Sequence, residues 1–100
     1  MKKTDSQGTQ SIGRAVAILR AVASVEGKGS SLAEISRLAG LERSTAHRML
    51  KRLVEEQLVT QDPVTRCYYL GPVLYELGLA AKPAIPVHEW CSEGLAELAR

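Results

Sequence analysis

Two short helical segments separated by one glycine lie near the middle of the chain, and they constrain the fold more than any other feature. The first is predicted over residues 32–39, because apolar residues recur there at helical spacing and Ser31 followed by Glu34 forms a capping box. Gly40 suits the left-handed position that lets a chain leave a helix sharply. The second helix is predicted over about residues 43–56. Helices joined this tightly cross at a steep angle, as in a helix-turn-helix, and leave the second helix protruding.

The second helix has an apolar face and a polar face on opposite sides. The apolar stripe that is predicted to pack inward consists of Ala46, Met49, Leu50, Leu53 and Val54. The opposite face carries Ser44, Arg48, Lys51 and Glu55, flanked by Thr45, His47 and Arg52. A protruding helix about 10–12 Å in diameter matches the ~12 Å width of the DNA major groove. The second helix is therefore predicted to read DNA.

Individual residues of this polar face have chemistry that suits DNA. Arg48 can bind O6 and N7 of guanine as a bidentate pair, or clamp a phosphate. Ser44 and Thr45 place hydroxyls at the positive end of the helix, which suits phosphates or base edges. His47 is either a DNA contact or a surface residue. The basic residues expected to attract the phosphate backbone are Arg43, Lys51, Arg52 and Arg66.

Charge is distributed unevenly along the chain. Residues 1–66 carry eleven Lys and Arg against seven Asp and Glu, whereas residues 67–100 carry two against four. A polyanionic partner is therefore expected on the N-terminal two thirds. That stretch has no aromatic residue, which argues against a stacking platform for single strands and favours duplex DNA. Glu55 and Glu56 confine the predicted DNA-facing surface to the N-terminal half of the second helix.

The flanking segments complete a winged helix-turn-helix, a mainly α fold with a small β-hairpin. A first helix is predicted over residues 12–25, with Ser11 as its N-cap and Gly27 beyond its end. Its inward stripe is predicted to be Ala15, Val16, Leu19, Val22 and Ala23. Two strands are predicted over residues 58–61 and 66–70, joined by a type I turn of Asp62, Pro63, Val64 and Thr65.

Four segments are predicted along the whole chain. Residues 1–10 form a flexible arm, and residues 11–71 form the winged helix-turn-helix domain. Residues 72–86 form a linker helix with a proline-containing break. Residues 87–100 form the first helix of a further domain, in which we expect the chain to stop.

The linker helix is apolar on two sides. Val73, Leu74 and Leu77 begin one stripe, and Tyr75 and Leu79 lie on a second side. A helix of this kind needs cover from more than one direction. Its leftover apolar residues are therefore predicted to form a homodimer contact: Tyr75, Leu77 and Leu79.

Other functional classes receive little support. Cys67 and Cys91 are too few for a disulfide framework or a four-ligand zinc site, and His88 with Cys91 supplies at most half a metal site. Ser44 near His47 has no orienting carboxylate or oxyanion loop. We therefore expect no catalytic residue, no metal and no cofactor. The longest apolar runs are too short for a signal sequence or a membrane span, so a cytoplasmic location at the nucleoid is expected.

Residues 40–50 read GLERSTAHRML, and this run resembles the recognition helix of the IclR family of bacterial transcriptional regulators. RAVAIL at 14–19, LVEEQLV at 53–59 and YLG at 69–71 resemble the same family. The resemblance implies a winged helix-turn-helix that dimerises on a palindromic double-stranded operator. It also implies a small-molecule effector that acts only through a C-terminal domain, which we expect this chain to lack. The alternative is a winged-helix protein–protein interaction or dimerisation module without DNA readout, which an apolar recognition face would favour.

Overall fold

Within the described part of the chain, three helices are followed by a two-stranded hairpin and a fourth helix. The computed structural model describes residues 2–25 and 28–81, with the backbone alone over residues 2–8. The elements are α1 (Lys2–Ala23), α2 (Leu32–Ala39), α3 (Arg43–Glu55), β1 (Val59–Gln61), β2 (Tyr68–Leu70) and α4 (Pro72–Ala81). This order confirms the predicted mainly α fold with a small hairpin. The predicted break over residues 82–86 and the predicted helix over residues 87–100 lie outside the described residues.

One apolar core holds α1, α2, α3 and the hairpin together. Its buried members are Ile18, Ala21, Val22, Ile35, Ala46, Leu50, Leu53, Val59 and Tyr68. The side chains of Met49 and Val54 pack against this cluster, which confirms the predicted inward face of α3. Removing apolar surface from water is the main force that fixes these elements together. The protruding helix is therefore anchored along its whole inner face.

The bounds predicted for the first helix are wrong at both ends. The backbone is helical from Lys2, so α1 includes most of the segment predicted as a flexible arm, and Ser11 lies inside α1 rather than capping it. The predicted arm has no apolar periodicity, but helix propagation needs only one further hydrogen bond for each added residue. At the other end, α1 stops at Ala23, and the Ser24 amide donates to the Arg20 carbonyl at 3.1 Å. The predicted terminating glycine, Gly27, lies outside the described residues.

The predicted inward stripe of α1 is confirmed at Ala15, Leu19 and Val22, which are buried or packed against the core, and is wrong at its other two positions. Ile18 and Ala21 are buried beside Val22, whereas Val16 and Ala23 are exposed. Apolar residues cover more than half of the circumference of this helix, so their spacing alone fits more than one stripe. The positions of α2 and α3 select the row that is buried.

Hydrogen bonds cap both ends of α2, and those at its C-terminal end form the turn to α3. The Ser31 hydroxyl accepts from the Glu34 amide at 3.1 Å, which confirms the predicted cap. Gly40 adopts φ 70°, and the amides of Gly40 and Leu41 donate to the carbonyls of Arg37 and Ser36 in a Schellman pattern. The Ser36 hydroxyl, itself buried, donates to the Leu41 carbonyl at 2.9 Å. This bond fixes the exit of the turn, and no sequence pattern predicted it.

Leu38 does not join the core as the helical spacing predicts. Its side chain is 46% exposed on α2, next to a groove that α1 lines. The inner face of α2 is formed instead by Ile35, with Leu32 and Ala39 packed against the core. Leu38 lies about 60° around the helix from Ile35, on the side opposite to Leu32 and Ala39, so the core covers only one edge of the apolar stripe.

The end of α3 uses a second left-handed residue. Gln57 adopts φ 63°, its amide donates to the Val54 carbonyl, and the Leu58 amide donates to the Leu53 carbonyl at 2.9 Å. This is again the Schellman pattern, here without glycine. At its start, α3 has the extended residue Glu42 as its N-cap, and the Glu42 side chain makes no capping hydrogen bond.

The hairpin pairs β1 with β2 in antiparallel register, with Thr60 opposite Tyr69. Both strands are shorter than predicted. The Ser30 amide donates to the Tyr68 carbonyl at 3.0 Å, and the Tyr68 amide donates to the Ser30 carbonyl at 2.8 Å. The inner strand β2 is therefore paired on both edges. We call residues 59–70 the wing.

The linker helix α4 starts directly against the end of α3. The Gly71 amide donates to the Leu58 carbonyl at 2.8 Å, and the Val73 amide donates to the Gln57 carbonyl at 3.1 Å. Gly71 is buried, and a Cβ there would overlap the Gln57 carbonyl oxygen. Within the described part of the chain, α4 contributes no buried side chain. No helix in residues 2–25 and 28–81 combines the length and apolarity that a membrane span requires.

Candidate nucleic-acid interface

The face of α3 that points away from the core is polar. Its exposed residues are Arg43, Ser44, His47, Arg48, Lys51 and Arg52, and Thr45 is half-buried. Opposite them, Ala46, Leu50 and Leu53 are buried. The structure therefore brings the residues predicted for DNA binding on α3 onto one protruding surface, which we call the α3 outer face.

Two grooves flank the α3 outer face. One, about 340 Å³ in volume, lies between α1 and α3 and is lined by Arg48 and Arg52 from α3 and by Ile12 from α1. The other, about 350 Å³, lies between α3 and the wing and is lined by His47, Lys51, Val54, Glu55, Gln61 and Tyr68. Arg48 thus borders the α1 side of the face, and Lys51 borders the wing side.

Arg52 differs from the other basic residues of α3 because it is paired within the helix. Its Nη2 lies 2.8 Å from Glu56 Oε2, its Nε donates to the same oxygen at 2.9 Å, and Glu55 Oε1 is 4.0 Å from Nε. The side chain is largely exposed, so the pair adds little stability. Its effect is on charge: residues 52–56 are net acidic, and the basic surface ends at Lys51. The Arg–Glu spacing of four residues was the available sequence signal.

The tip of the wing is a closed loop rather than the predicted four-residue turn. The Arg66 amide donates to the Asp62 carbonyl at 2.8 Å, and the Asp62 amide donates to the Cys67 carbonyl at 2.9 Å. Arg66 adopts φ 67° and is exposed, so the prediction that the second strand begins at this residue is wrong. A left-handed residue cannot continue a strand, and β2 therefore begins at Tyr68.

The predicted dimer residues of α4 are exposed but do not share one face. Tyr75 and Leu79 lie one turn apart and are 71% and 48% exposed. Leu77, also exposed, is about 200° around the helix from Tyr75. Leu70, at the end of β2, adds a further exposed apolar side chain.

Metal chemistry has no counterpart in the part of the chain that the structure describes. Residues 2–25 and 28–81 contain no group of three His, Cys, Asp or Glu side chains placed to hold an ion. Cys67, which is half-buried, follows the wing tip rather than lying in β2. His88 and Cys91 lie outside the described residues.

Comparison with known proteins identifies the family. The IclR helix-turn-helix domain matches residues 11–63. The glycerol operon regulatory protein of Streptomyces griseus is 37% identical over 84 residues, which cover 84% of this chain and 32% of that protein. The transcriptional regulator TtgV of Pseudomonas putida is 44% identical over 70 residues, 70% of this chain and 27% of its own length.

Solved structures agree with these relatives. The IclR transcriptional regulator of Alicyclobacillus acidocaldarius has a TM-score of 0.70 at 34% identity, covering 89% of this chain and 34% of that one. Pseudomonas aeruginosa HmgR has a TM-score of 0.65 at 32% identity, with 84% and 34% covered. The chain thus spans about a third of the length of these proteins. The relatives are named as transcriptional regulators, a non-enzymatic function, so the chain, with its helix-turn-helix domain for DNA binding, belongs to the IclR family of transcriptional regulators.

Proposed function

We propose that this chain binds double-stranded DNA sequence-specifically by inserting the N-terminal half of α3 into the major groove. The observation that carries the proposal is the α3 outer face, which is polar and basic through Lys51 and is anchored by the buried residues on the opposite side. A rigid protruding helix of this diameter fits the major groove. An interaction module that buries an apolar recognition face would not present this surface.

Different parts of the α3 outer face have different roles in the proposal. Arg48 projects almost directly opposite the core and reads a base, with guanine as the best match for its bidentate geometry. Arg43, Ser44 and Thr45 lie in the first turn, where the helix dipole favours phosphate. Lys51 lines the wing-side groove and contacts the phosphate backbone of the DNA strand that passes between α3 and the wing. His47 lines the same groove and contacts the same DNA strand.

The acidic end of α3 limits how the helix enters the groove. Glu55 and Glu56 lie beyond the last unpaired cation of the helix, and Arg52 is held by their carboxylates. A phosphate next to this cluster would be repelled. We therefore propose that the helix enters with its N-terminal end deepest, and that its last turn stays outside the DNA.

Assembly follows from the number of base pairs that one helix can read. A single module of this kind gives modest specificity against the competing sites of a genome. We propose a homodimer that binds a palindromic operator, with half-sites about one helical turn apart. Tyr75 and Leu79 on one side of α4, and Leu77 on the other, supply apolar surface that a second copy covers.

Since the chain spans about a third of its relatives, we propose that it acts as the DNA-binding part of a regulator whose small-molecule effector binds to a C-terminal domain. Operator binding would place that regulator at the nucleoid of the bacterial cytoplasm.

A selection from a pool of random-sequence DNA duplexes tests the proposal directly. We expect a consensus core that is repeated as an inverted repeat, and an affinity for random duplex that falls with salt. A pool that yields no consensus, together with an affinity that does not depend on salt, would favour the protein-interaction module instead. A consensus without two-fold symmetry would retain DNA reading and reject the dimer.

A further inference from the structure

The groove between α1 and α3 has an apolar lining that the proposed contacts with DNA do not use. Ala15 and Met49 line it and pack against the core, and Leu53 lines it as a buried residue. Ile12 lines it from α1 and remains 66% exposed. Contiguous apolar surface of this kind marks binding sites, whereas apolar side chains that are exposed singly do not. We call this site the α1–α3 groove.

Three polar residues also line the α1–α3 groove, and they give it a single unpaired positive charge. Arg52 is neutralised within α3, because its Nη2 lies 2.8 Å from Glu56 Oε2. Arg48, one turn earlier and exposed, forms no ion pair with any side chain that the structure describes. Ser11 is uncharged. One guanidinium beside an apolar surface is complementary to a ligand that has one negative charge and an apolar body.

The dimensions of the α1–α3 groove favour a slender ligand. Its volume is about 340 Å³, at the lower end of the range of small-molecule sites. From Arg48 to Leu53 its α3 wall extends about 7.5 Å along the helix axis. Its apolar side chains are aliphatic apart from the thioether of Met49, which adapts its shape to an irregular apolar partner. An alkyl chain that ends in one carboxylate matches this charge, this shape and this lining.

We propose that the α1–α3 groove binds an alkyl monocarboxylate, and that this ligand competes with the operator for Arg48. The carboxylate accepts two parallel hydrogen bonds from the Arg48 guanidinium, and the alkyl chain packs against Ile12 and Leu53. A guanidinium that holds a carboxylate does not read a base at the same time, so each ligand lowers the affinity for the other by the same factor. The ligand site stands apart from the proposed function, and only the competition rests on it.

The ligand site is tested first without DNA. The full chain, isotope-labelled in the methyl groups of isoleucine and methionine, is titrated with alkyl carboxylates and followed by NMR. The methyl resonances of Ile12 and Met49 should shift and saturate. From pentanoate to octanoate the affinity should rise about fourfold for each added methylene. Octanol and octylamine should bind at least about tenfold more weakly than octanoate, because neither offers Arg48 a negative charge.

Ile12→Asn and Val16→Asn are matched variants, because both replace an exposed apolar residue of α1 and only Ile12 lines the groove. Both should retain the thermal midpoint. Ile12→Asn should weaken octanoate binding about tenfold, and Val16→Asn should leave it unchanged. Arg48→Gln should lower the affinity for octanoate to that for octanol.

Three results of the titration would overturn the proposal. They are shifts that do not saturate, shifts that octanol produces at equal affinity, and an equal weakening by the two asparagine variants. It would also be overturned if the Ile12 and Met49 resonances followed dilution of the protein and not octanoate, because a second copy of the chain would then cover the groove.

The competition is measured on the operator from the random-duplex selection, at constant ionic strength. Octanoate at about nine times its own Kd should raise the Kd for the operator about tenfold in wild-type protein, and much less in Ile12→Asn. An operator affinity that saturating octanoate leaves unchanged would overturn the competition. A selection that yields no operator defeats the proposed function alone, since the methyl titration still decides the ligand site.

Discussion

The carbonyl oxygen of Gln57 accepts a hydrogen bond from the amide of Val73 at 3.1 Å, which attaches the first turn of the linker helix α4 to the left-handed residue just after α3. The Gly71 amide adds a second bond to the Leu58 carbonyl at 2.8 Å. Because both bonds lie within three residues of the α3 terminus, the direction of α4 is tied to that of α3. If one of these helices tilts, either the other tilts with it or these two hydrogen bonds break.

Gly71→Ala should destabilise the domain by about 1–3 kcal/mol, because the added methyl group would overlap the Gln57 carbonyl oxygen and lie 2.9 Å from the Leu58 carbonyl carbon. Urea unfolding followed by circular dichroism measures the change. Gly78→Ala, inside α4, is the control: nothing lies within 4 Å of its added Cβ, and it should stabilise α4 by about 0.5–1 kcal/mol. Equal effects of the two substitutions would contradict the described junction.

Arg48→Ala should weaken binding to the selected operator by about 1–3 kcal/mol and relax the preference at one position in each half-site. Arg48→Lys should lose most of that preference while retaining affinity for random duplex, because lysine keeps the charge without the bidentate geometry. Fluorescence anisotropy titrations on operator and random duplex measure both effects. An equal loss on the two duplexes in Arg48→Ala would reduce the residue to a phosphate contact.

The salt dependence of binding should identify which cations meet phosphates. Log affinity should fall with log salt concentration at a slope of about −0.9 for each phosphate contact. Lys51→Ala should make that slope shallower by about 1. Arg52→Ala should change it little, because Arg52 is already paired with Glu56. A larger change for Arg52 than for Lys51 would show that this ion pair opens when DNA binds.

Two buried serines should respond in opposite ways to the same substitution. Ser36→Ala removes the hydroxyl that donates to the Leu41 carbonyl, and should cost about 1–2 kcal/mol of unfolding free energy. The Ser30 hydroxyl has no hydrogen-bond partner within the described part of the chain, so Ser30→Ala should be neutral or stabilise the fold by up to about 1 kcal/mol. Thermal unfolding of the two variants measures the contrast. A larger loss for Ser30→Ala would show that its hydroxyl is hydrogen-bonded in solution.

Leu79→Glu should shift the protein toward monomer in sedimentation equilibrium and weaken binding to the palindrome far more than to an isolated half-site. Leu38→Glu is the matched control, because Leu38 is similarly exposed but lies on α2, next to the groove beside α1. Wild-type protein that stays monomeric at operator saturation, with one copy on each site, would contradict the proposed dimer.

The parts of the fold that the sequence could predict are those governed by local chemistry. Ser31 and Gly40 enforce a helix start and a sharp exit whatever surrounds them, and α2 has the predicted bounds. The α3 outer face follows from helical geometry alone, so its polar residues lie where their spacing placed them. The wing lies near its predicted position because Asp62 and Pro63 favour a turn.

The parts that could not be predicted depend on neighbours distant in the sequence. The sequence of α1 does not decide whether Ile18 or Val16 is buried, because this helix has apolar residues on both sides. The packing of α2 and α3 decides it, and Ile18 is the residue that they cover. The left-handed conformation of Arg66 depends on how the tip closes on Asp62 and Gln61, which residue propensities do not encode. Ser36 looks like an ordinary polar helix residue until the chain after Gly40 brings the Leu41 carbonyl onto its hydroxyl.

The double pairing of β2 has a consequence for engineering new specificities by recombining domains. A two-stranded hairpin is at best marginally stable by itself, and the wing gains two backbone hydrogen bonds from Ser30, 38 positions earlier in the chain. A chimera that imports residues 59–70 from another regulator would keep one half of this pairing and replace the other. The transferable unit is therefore discontinuous: the hairpin together with the segment around Ser30, exchanged as one piece.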